Sequence, residues 1–308
     1  MKRLLFKSLC LSLVLTYTAV FVFQDASFAM NSGSSDSASN FSSDVAQASA
    51  SKNFQTDLFT GQATTAVPIF VPPGRRGVQP ALALSYSSFG GNGWVGVGWT
   101  LELGHIQRST KKGVPNFNSS DIFIFSFQGV QSELVSIGGN EYRTKNESGS
   151  FLKFQLNGSS WTVWDKNGTR YAFGTSSSSR IEDGSGIFQW SLDRVTDIHG
   201  NTMTVSYAKD SGQLYLLQIA YTGSDATGES PTHTVDFLRE TRPDRIHSHL
   251  SGVDIFTDHR LKQIDVRASG QLARRYVLGY QQSARTNRSL LTGVTEYGTD
   301  GVTSLAPV

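Results

Sequence analysis

The chain has 308 residues, 38% hydrophobic, 11% aromatic and 17% charged, with a formal net charge of +2. This is apolar material for one large β domain or two small ones, and the small net charge argues against an electrostatic nucleic-acid or anionic-membrane binder. Cys10 is the only cysteine, so no intrachain disulfide can staple the fold.

In chain order, the start reads as a secretory signal. Lys2, Arg3 and Lys7 form a basic region, Leu9 to Phe23 is apolar, and Ser27-Phe28-Ala29 is a small-x-small cleavage site. The apolar run is shorter than the roughly 20 residues of a membrane span; an uncleaved anchor is the alternative. Cys10 lacks the small residues that precede a lipoprotein cysteine. Removing residues 1–29 takes three basic residues and one acid from 27 and 25, leaving 24 of each and a neutral mature chain. A cysteine-free exported protein must rely on core area and sheet hydrogen bonds, which fits a bacterial secreted or surface-associated protein. Residues 30–53 are rich in serine, alanine, asparagine and glycine and predict a flexible linker. A folded domain is expected over 54–308.

From Phe54 to Gly113 the pattern predicts strand, hard turn, strand, glycine-rich corner, strand. The stretch opens with Thr60-Gly61-Gln62-Ala63 and reaches Pro72-Pro73-Gly74-Arg75, where proline presets φ and glycine can take φ > 0. Leu82, Leu84 and Tyr86 alternate with small residues as in a half-buried strand. In the corner, Gly91, Gly93, Gly96 and Gly98 alternate with larger residues including Trp94 and Trp99. Glycines there suggest bulges or close backbone approach, covered by the tryptophans.

The order of these motifs from Gly61 to Asp121 (TG-x-A, P-I-x-x-P-P-G-R-x-G, P-x-L-x-L-S-Y-S-S, G-N-G-x-x-G-x-G-W, I-x-R) resembles the opening of the SpvB N-terminal domain family. That domain also begins the B components of insecticidal toxin complexes. The resemblance implies an all-β fold of many short antiparallel strands in hairpins and meanders, forming a large curved, shell-like sheet.

Asp121 to Phe127 reads as a strand with Phe123, Phe125 and Phe127 on one face. Gly138-Gly139-Asn140 is a turn. Asn157-Gly158 and Asn167-Gly168 then predict two tight connections in a three-stranded meander. Asp197-Ile198-His199-Gly200-Asn201 is a D-x-x-G-N turn, followed by a strand ending at Tyr207 and a further turn at Asp210-Ser211-Gly212. This unit is similar to one copy of the tyrosine-aspartate (YD, or Rhs) repeat, and Ser-Gly-Gln-Leu recurs at Ser211 and Ser269. No long segment of the mature chain has helical periodicity.

Gly91-Asn92-Gly93-Trp94-Val95-Gly96 formally matches a dinucleotide fingerprint, but no helix pattern follows to face a pyrophosphate. His247-Ser248-His249, with Asp254, Asp258 and His259 nearby, has metal-ligating residue types. The spacing is loose and Arg242, Arg245 and Arg260 oppose a cation, so these read as solvated loop and edge-strand residues. Glu182-Asp183-Gly184-Ser185-Gly186 reads as a turn in preference to a calcium loop. Trp94 and Trp99, or Trp161, Trp164 and Trp190, either stack on sugars or pack a core; core packing is the reading adopted. No G-x-S-x-G elbow is present, and no catalytic, cofactor or metal residue is assigned.

Full-length SpvB proteins carry a C-terminal ADP-ribosyltransferase domain with an E-x-E pair, and no two glutamates here lie two positions apart. The resemblance therefore implies a non-enzymatic structural module that encloses or helps deliver a toxic cargo, partnered by other shell subunits or a C-terminal continuation. An exported module binding a glycan or protein is the alternative. Expected structural residues are Gly61, Pro72, Pro73, Gly74, Arg75, Tyr86, Gly93, Gly96, Gly98, Trp99, Asp197, Gly200, Asn201 and Tyr207. Family members are longer, so the chain is expected to be a fragment, a truncated product or a stand-alone module. Only a short segment follows the strand at Leu290–Tyr297, so that strand is expected to expose unpaired backbone groups and to support self-association.

Overall fold

The computed structural model describes residues 55–128, 130–147 and 149–308; the expected signal peptide and linker lie outside them. The first strands are β1 (Gln55–Thr56), β2 (Ala63–Ile69), β3 (Leu82–Ser87), β4 (Asn92–Gly93), β5 (Gly96–Val97) and β6 (Trp99–Thr100). β1, β2, β3 and β6 make an antiparallel sheet, while β4 and β5 form a separate small hairpin with Trp94 and Val95 at its tip.

Next come β7 (His105–Arg108), β8 (Phe123–Phe127), β9 (Val130–Gly138), β10 (Glu141–Thr144), β11 (Lys153–Asn157), β12 (Ser160–Trp164), β13 (Arg170–Phe173), β14 (Arg180–Asp183) and β15 (Gly186–Thr196). β7 to β13 pair successively. β15 then pairs with both β7 and β13, closing an eight-stranded barrel. Period-2 alternation puts the large rings on one face of each strand, and closure turns that face inward. Phe123 meets Trp161 edge-on at 5.0 Å, Phe125 meets Phe154 at 4.9 Å, and Phe127 meets Tyr171 at 5.0 Å. Trp161 is fully buried and Trp190 only 2% exposed, so these tryptophans are core and unavailable to a sugar.

β15 is long enough to serve two structures. Beyond the barrel it pairs with β16 (Asn201–Asp210), and the sheet grows through β17 (Gln213–Ser224), β18 (His233–Ser248), β19 (Ile255–Ala268), β20 (Gln271–Gln282) and β21 (Ser289–Tyr297). The repeated tetrapeptide makes the same turn twice. Ser211-Gly212 and Ser269-Gly270 are two-residue loops with φ of 50° and 81°, and 50° and 80°, the paired positive φ of a type I′ hairpin. Among the described residues the only helical turns are single 3-10 turns at Arg75–Gly77 and Ser177–Ser179. The nearly all-β antiparallel expectation holds; the barrel closure goes beyond it.

The sheet of β1, β2, β3 and β6 is tied to the outer sheet by distant contacts. Phe70 N–H donates to the Tyr276 hydroxyl at 3.0 Å, and the Tyr221 hydroxyl donates to the Pro72 carbonyl at 3.0 Å. One apolar core runs from Leu84 on β3 through the barrel to Val294 on β21.

Two local expectations are corrected. Gly74 has φ −86°, and the left-handed residues of that turn are Arg76 and Gly77. Glycine is needed at 74 for a different reason: an added Cβ would lie 2.0 Å from the Val78 carbonyl oxygen. At the C-terminus, the last strand is not bare. The tail folds back along β21: Leu305 N–H donates to Glu296 O, while Val308 and Val294 exchange backbone bonds at 3.0 and 2.9 Å. Pro307 does not interrupt this, because Val308 supplies the N–H at that point of the ladder.

Candidate functional site

The glycine corner is where the three β structures meet. At Gly98, with φ +77°, an added Cβ would lie 2.6 Å from the Tyr86 ring and 2.8 Å from Ser87 O. At Gly96, with φ +109°, it would lie 2.9 Å from Ser289 O on β21. Tyr86 and Trp99 are directly opposed across β3 and β6, their rings 5.3 Å apart. The backbone of the β4–β5 hairpin is gripped by the outer sheet: Leu261 N–H donates to Trp94 O at 2.8 Å, and Arg242 Nη1 donates to Gly93 O at 2.8 Å.

Arg242 is the centre of a buried polar network that the sequence did not announce. Its guanidinium, with no exposed side-chain area, pairs with Asp244 at 2.8 Å and also reaches Asn92 Oδ1 at 3.0 Å. Asp244 accepts further from Ser289 N–H at 2.7 Å and from the Ser289 hydroxyl. Burial alone would raise the Asp244 carboxyl, but Arg242, Ser289 and Asn92 outweigh it and hold the group well below the ordinary carboxylate range. The network closes only in three dimensions, since Asn92, Asp244 and Ser289 lie on β4, β18 and β21.

Beside this corner lies a cleft of about 370 Å³ between the Trp99–His105 segment and β15 to β19. Trp94, Trp99, Leu214 and Tyr207 give it apolar walls, and Glu102, His105 and Gln189 supply polar groups. Burial pushes the His105 imidazole below its ordinary value, against the pull of Glu102 at 3.9 Å. His105 and Ser191 oppose each other across β7 and β15, yet the Ser191 hydroxyl accepts from Gln189 Nε2 at 3.2 Å. The Tyr207 hydroxyl is occupied by Leu192 O at 2.6 Å, and burial raises its pKa. The cleft offers shape and a neutral imidazole for binding.

The remaining expected residues hold turns. Gly61, with φ +71°, closes the turn between β1 and β2 by donating to Asp57 O. Pro73 sits beside Pro72 in the loop that leads to Arg75, and Arg75 pairs with Glu229 beyond β17. Asp197 accepts from His199 N–H at 2.9 Å and Asn201 N–H at 2.7 Å, while Gly200 takes φ +80°. The Asp165 turn, with Gly168 at φ +82°, repeats this arrangement. Asn157-Gly158 predicts the right hairpin one residue early: Asn157 pairs with Ser160, leaving Gly158 and Ser159 as the loop. Gly91 to Gly96 leads into strand, which removes the dinucleotide reading. Finally, the structure brings His247, His249 and Asp254 to one spot, and leaves His259 apart beside Asp210.

Comparison with known proteins adds the following. The profile of the family described as SpvB, Salmonella virulence plasmid 65kDa B protein, matches residues 58–157 and 141–234. The mono(ADP-ribosyl)transferase SpvB of Salmonella choleraesuis (strain SC-B67) is 31% identical over 44% of this chain and 28% of its own length. That of Salmonella typhimurium is 30% identical over the same shares. The chain thus spans under a third of these relatives. Among solved structures, the TcdB2-TccC3 crystal structure aligns over 82% of this chain and 16% of its own, with TM-score 0.68 and 21% identity. The N-terminal domain of effector protein SpvB from Salmonella typhimurium strain LT2 aligns over 75% of this chain and 99% of its own, with TM-score 0.62 and 22% identity. The Photorhabdus luminescens Tc holotoxin pore gives TM-score 0.67 at 21% identity, over 80% of this chain and 15% of its own. At these identities the likeness shows a shared fold.

The names correct one expectation. The sequence reading made the chain non-enzymatic, but the curated relatives over the matched part are named as mono(ADP-ribosyl)transferases, so that description does not stand. Its physical basis was the missing E-x-E pair, which speaks only for residues this chain contains.

Proposed function

Because this chain belongs to the SpvB family, we propose that it serves as a β scaffold of a toxin-complex-type assembly, contributing to a shell that encloses or helps deliver a toxic cargo. The observation that carries this reading is the construction of the fold: a closed, ring-filled barrel from which a sheet is extended hairpin by hairpin through β21. Such growth adds wall area without needing a new core for each pair of strands. The fold shared with TcdB2-TccC3 and with the SpvB N-terminal domain supports it.

Assembly with other shell subunits is part of the proposal. Leu58 and Phe59, both 98% exposed, stand on the β1–β2 turn, and Phe89 is exposed on the turn after β3. Exposed large apolar groups on loop tips fit contacts with a partner subunit. Pairing between copies through β21 is restricted to the part of the strand before Val294, since the tail occupies the rest. Export by the segment at residues 1–29, a linker over 30–53 and an extracellular or surface location complete the reading, as does assignment of the Asp197–Tyr207 unit to YD/Rhs-type repeats. No helix of the described residues is long and apolar enough to cross a membrane.

The cargo role is tested by protease protection. The chain is co-produced with the toxin-complex subunits and cargo polypeptide of its source organism, the assembly is isolated, and the cargo is challenged with protease. Protection lost when this chain is omitted is the expected result. Cargo cut equally fast with and without it overturns the reading.

A further inference from the structure

The tip of the β18–β19 hairpin carries a set of side chains that the scaffold does not use. His247 lies near the end of β18 and His249 one residue past it, and their rings sit 4.1 Å apart on the same side. The chain then reverses, and Asp254 arrives beside them just before β19 begins. Asp254 Oδ1 lies 2.8 Å from His247 Nε2 and 2.9 Å from His249 Nδ1, and all three atoms fall within 4.8 Å of one another. We propose that His247, His249 and Asp254 bind a divalent transition-metal ion of the zinc class, with its remaining position open to solvent.

The ligand chemistry selects the ion. Two imidazole nitrogens and one carboxylate oxygen suit zinc, copper or nickel, whereas calcium and magnesium take oxygen ligands. A tetrahedral zinc with bonds of about 2.0–2.2 Å needs ligand atoms roughly 3.3–3.5 Å apart, within the small adjustment that exposed side chains allow.

The loop is organised in advance. Val253 is buried in a small cluster with Ile181, Phe188 and Leu214. Gly252 N–H donates to His249 O at 2.9 Å, and Phe256 N–H donates to Ser211 O at 2.9 Å. The His247 ring stacks flat on Phe256, with centroids 4.0 Å apart. Asp254 and the two histidines are therefore set by packing on both sides of the reversal.

The basic neighbourhood, which argues against a cation on sequence alone, is neutralised in three dimensions. Arg242 is bound to Asp244 at 2.8 Å, Arg245 to Asp258 at 2.6 Å, and Arg260 to Glu240 at 2.8 Å. Each guanidinium has its own carboxylate, leaving Asp254 to the two imidazoles. The three side chains are 42–62% exposed, which gives the ion an entry path.

Calorimetric titration of the untagged full chain with zinc chloride tests the site, with calcium chloride as the comparison. Expected are one zinc per chain, no calcium binding at this site, and cobalt(II) giving the visible absorption of a low-coordinate nitrogen–oxygen site. Affinity should fall at least tenfold in His247→Ala, His249→Ala and Asp254→Asn, and stay unchanged in His199→Ala. Circular dichroism verifies that each variant is folded, and the cobalt spectrum of the unaltered chain stands independently of them. No zinc binding at micromolar concentrations, or equal binding by the His247→Ala/His249→Ala double variant, overturns the proposal.

Discussion

At Gly98 the backbone is left-handed and the space beside it is already taken by the Tyr86 ring and the Ser87 carbonyl. Gly98→Val adds a β-branched side chain where both conformation and volume forbid it. The expected outcome is loss of soluble protein, or a destabilisation above about 3 kcal/mol if it folds. A thermal scan at wild-type midpoint would contradict it. Asp244→Asn is a sharper case, since it leaves the buried Arg242 guanidinium without its counter-charge, at a cost of about 3–5 kcal/mol near neutral pH. The folded pKa of Asp244 is depressed, so the pair's contribution is complete above the ordinary carboxylate value of about 4 and is lost as pH falls below it. The gap in urea midpoint between Asp244→Asn and the unaltered chain should therefore stay constant from pH 7 to about 4 and narrow progressively as pH falls further; a gap that does not change below about pH 4 contradicts the assignment. The need for glycine at 96 and 98 was legible, because glycines recurring every two or three residues between tryptophans signal backbone packed closely under large rings. The role of Arg242 was not: Asp244 is two residues on, but Asn92 and Gly93 lie about 150 positions away and Ser289 lies on β21, and none has a distinctive local pattern. Thr222, a β-branched residue at φ 76° in the bulge of β17, was equally silent.

Hairpins are the elements in which sequence and structure agree most closely. Ser211-Gly212 and Ser269-Gly270 need φ > 0 at both positions, which asparagine tolerates better than serine at the first. Ser269→Asn should stabilise by a few tenths to about 1 kcal/mol, and Ser269→Val should destabilise by about 1–3 kcal/mol. Denaturant titration of the two variants checks the ordering; a reversed order would contradict the turn assignment. In the barrel, Trp161→Ala removes a ring that touches Phe123, Tyr142 and Trp190, and should cost about 3–5 kcal/mol. That the rings form a core was legible from the alternation of Phe123, Phe125 and Phe127. That the strands close on themselves was not. Closure depends on β15 offering edges to both β7 and β13, a pairing between segments far apart in the chain. No turn signal or periodicity encodes such a long-range partner.

For the whole molecule, one core spans the N-terminal sheet, the barrel and the outer sheet, so the described domain should behave as a rigid wall segment more than as jointed parts. The resemblance covered this architecture because its motifs, Gly61 to Asp121, build the corner where the three structures meet. It did not extend to the whole protein's activity, where the names of the relatives overrode the reading of this chain's glutamates. The C-terminal tail also departs from the expected open edge, since it pairs with β21 from Val294 to Tyr297. Contacts with other subunits are then expected to fall on the exposed apolar turns at Leu58, Phe59 and Phe89. The most direct measurement of the scaffold claim is the mass of the protein, by light scattering, alone and mixed with toxin-complex shell subunits. The account predicts a discrete heteromeric assembly that is weakened by Leu58→Ser/Phe59→Ser in a chain that remains folded. An unaltered mass on mixing, with no subunit retained at micromolar concentrations, would contradict it.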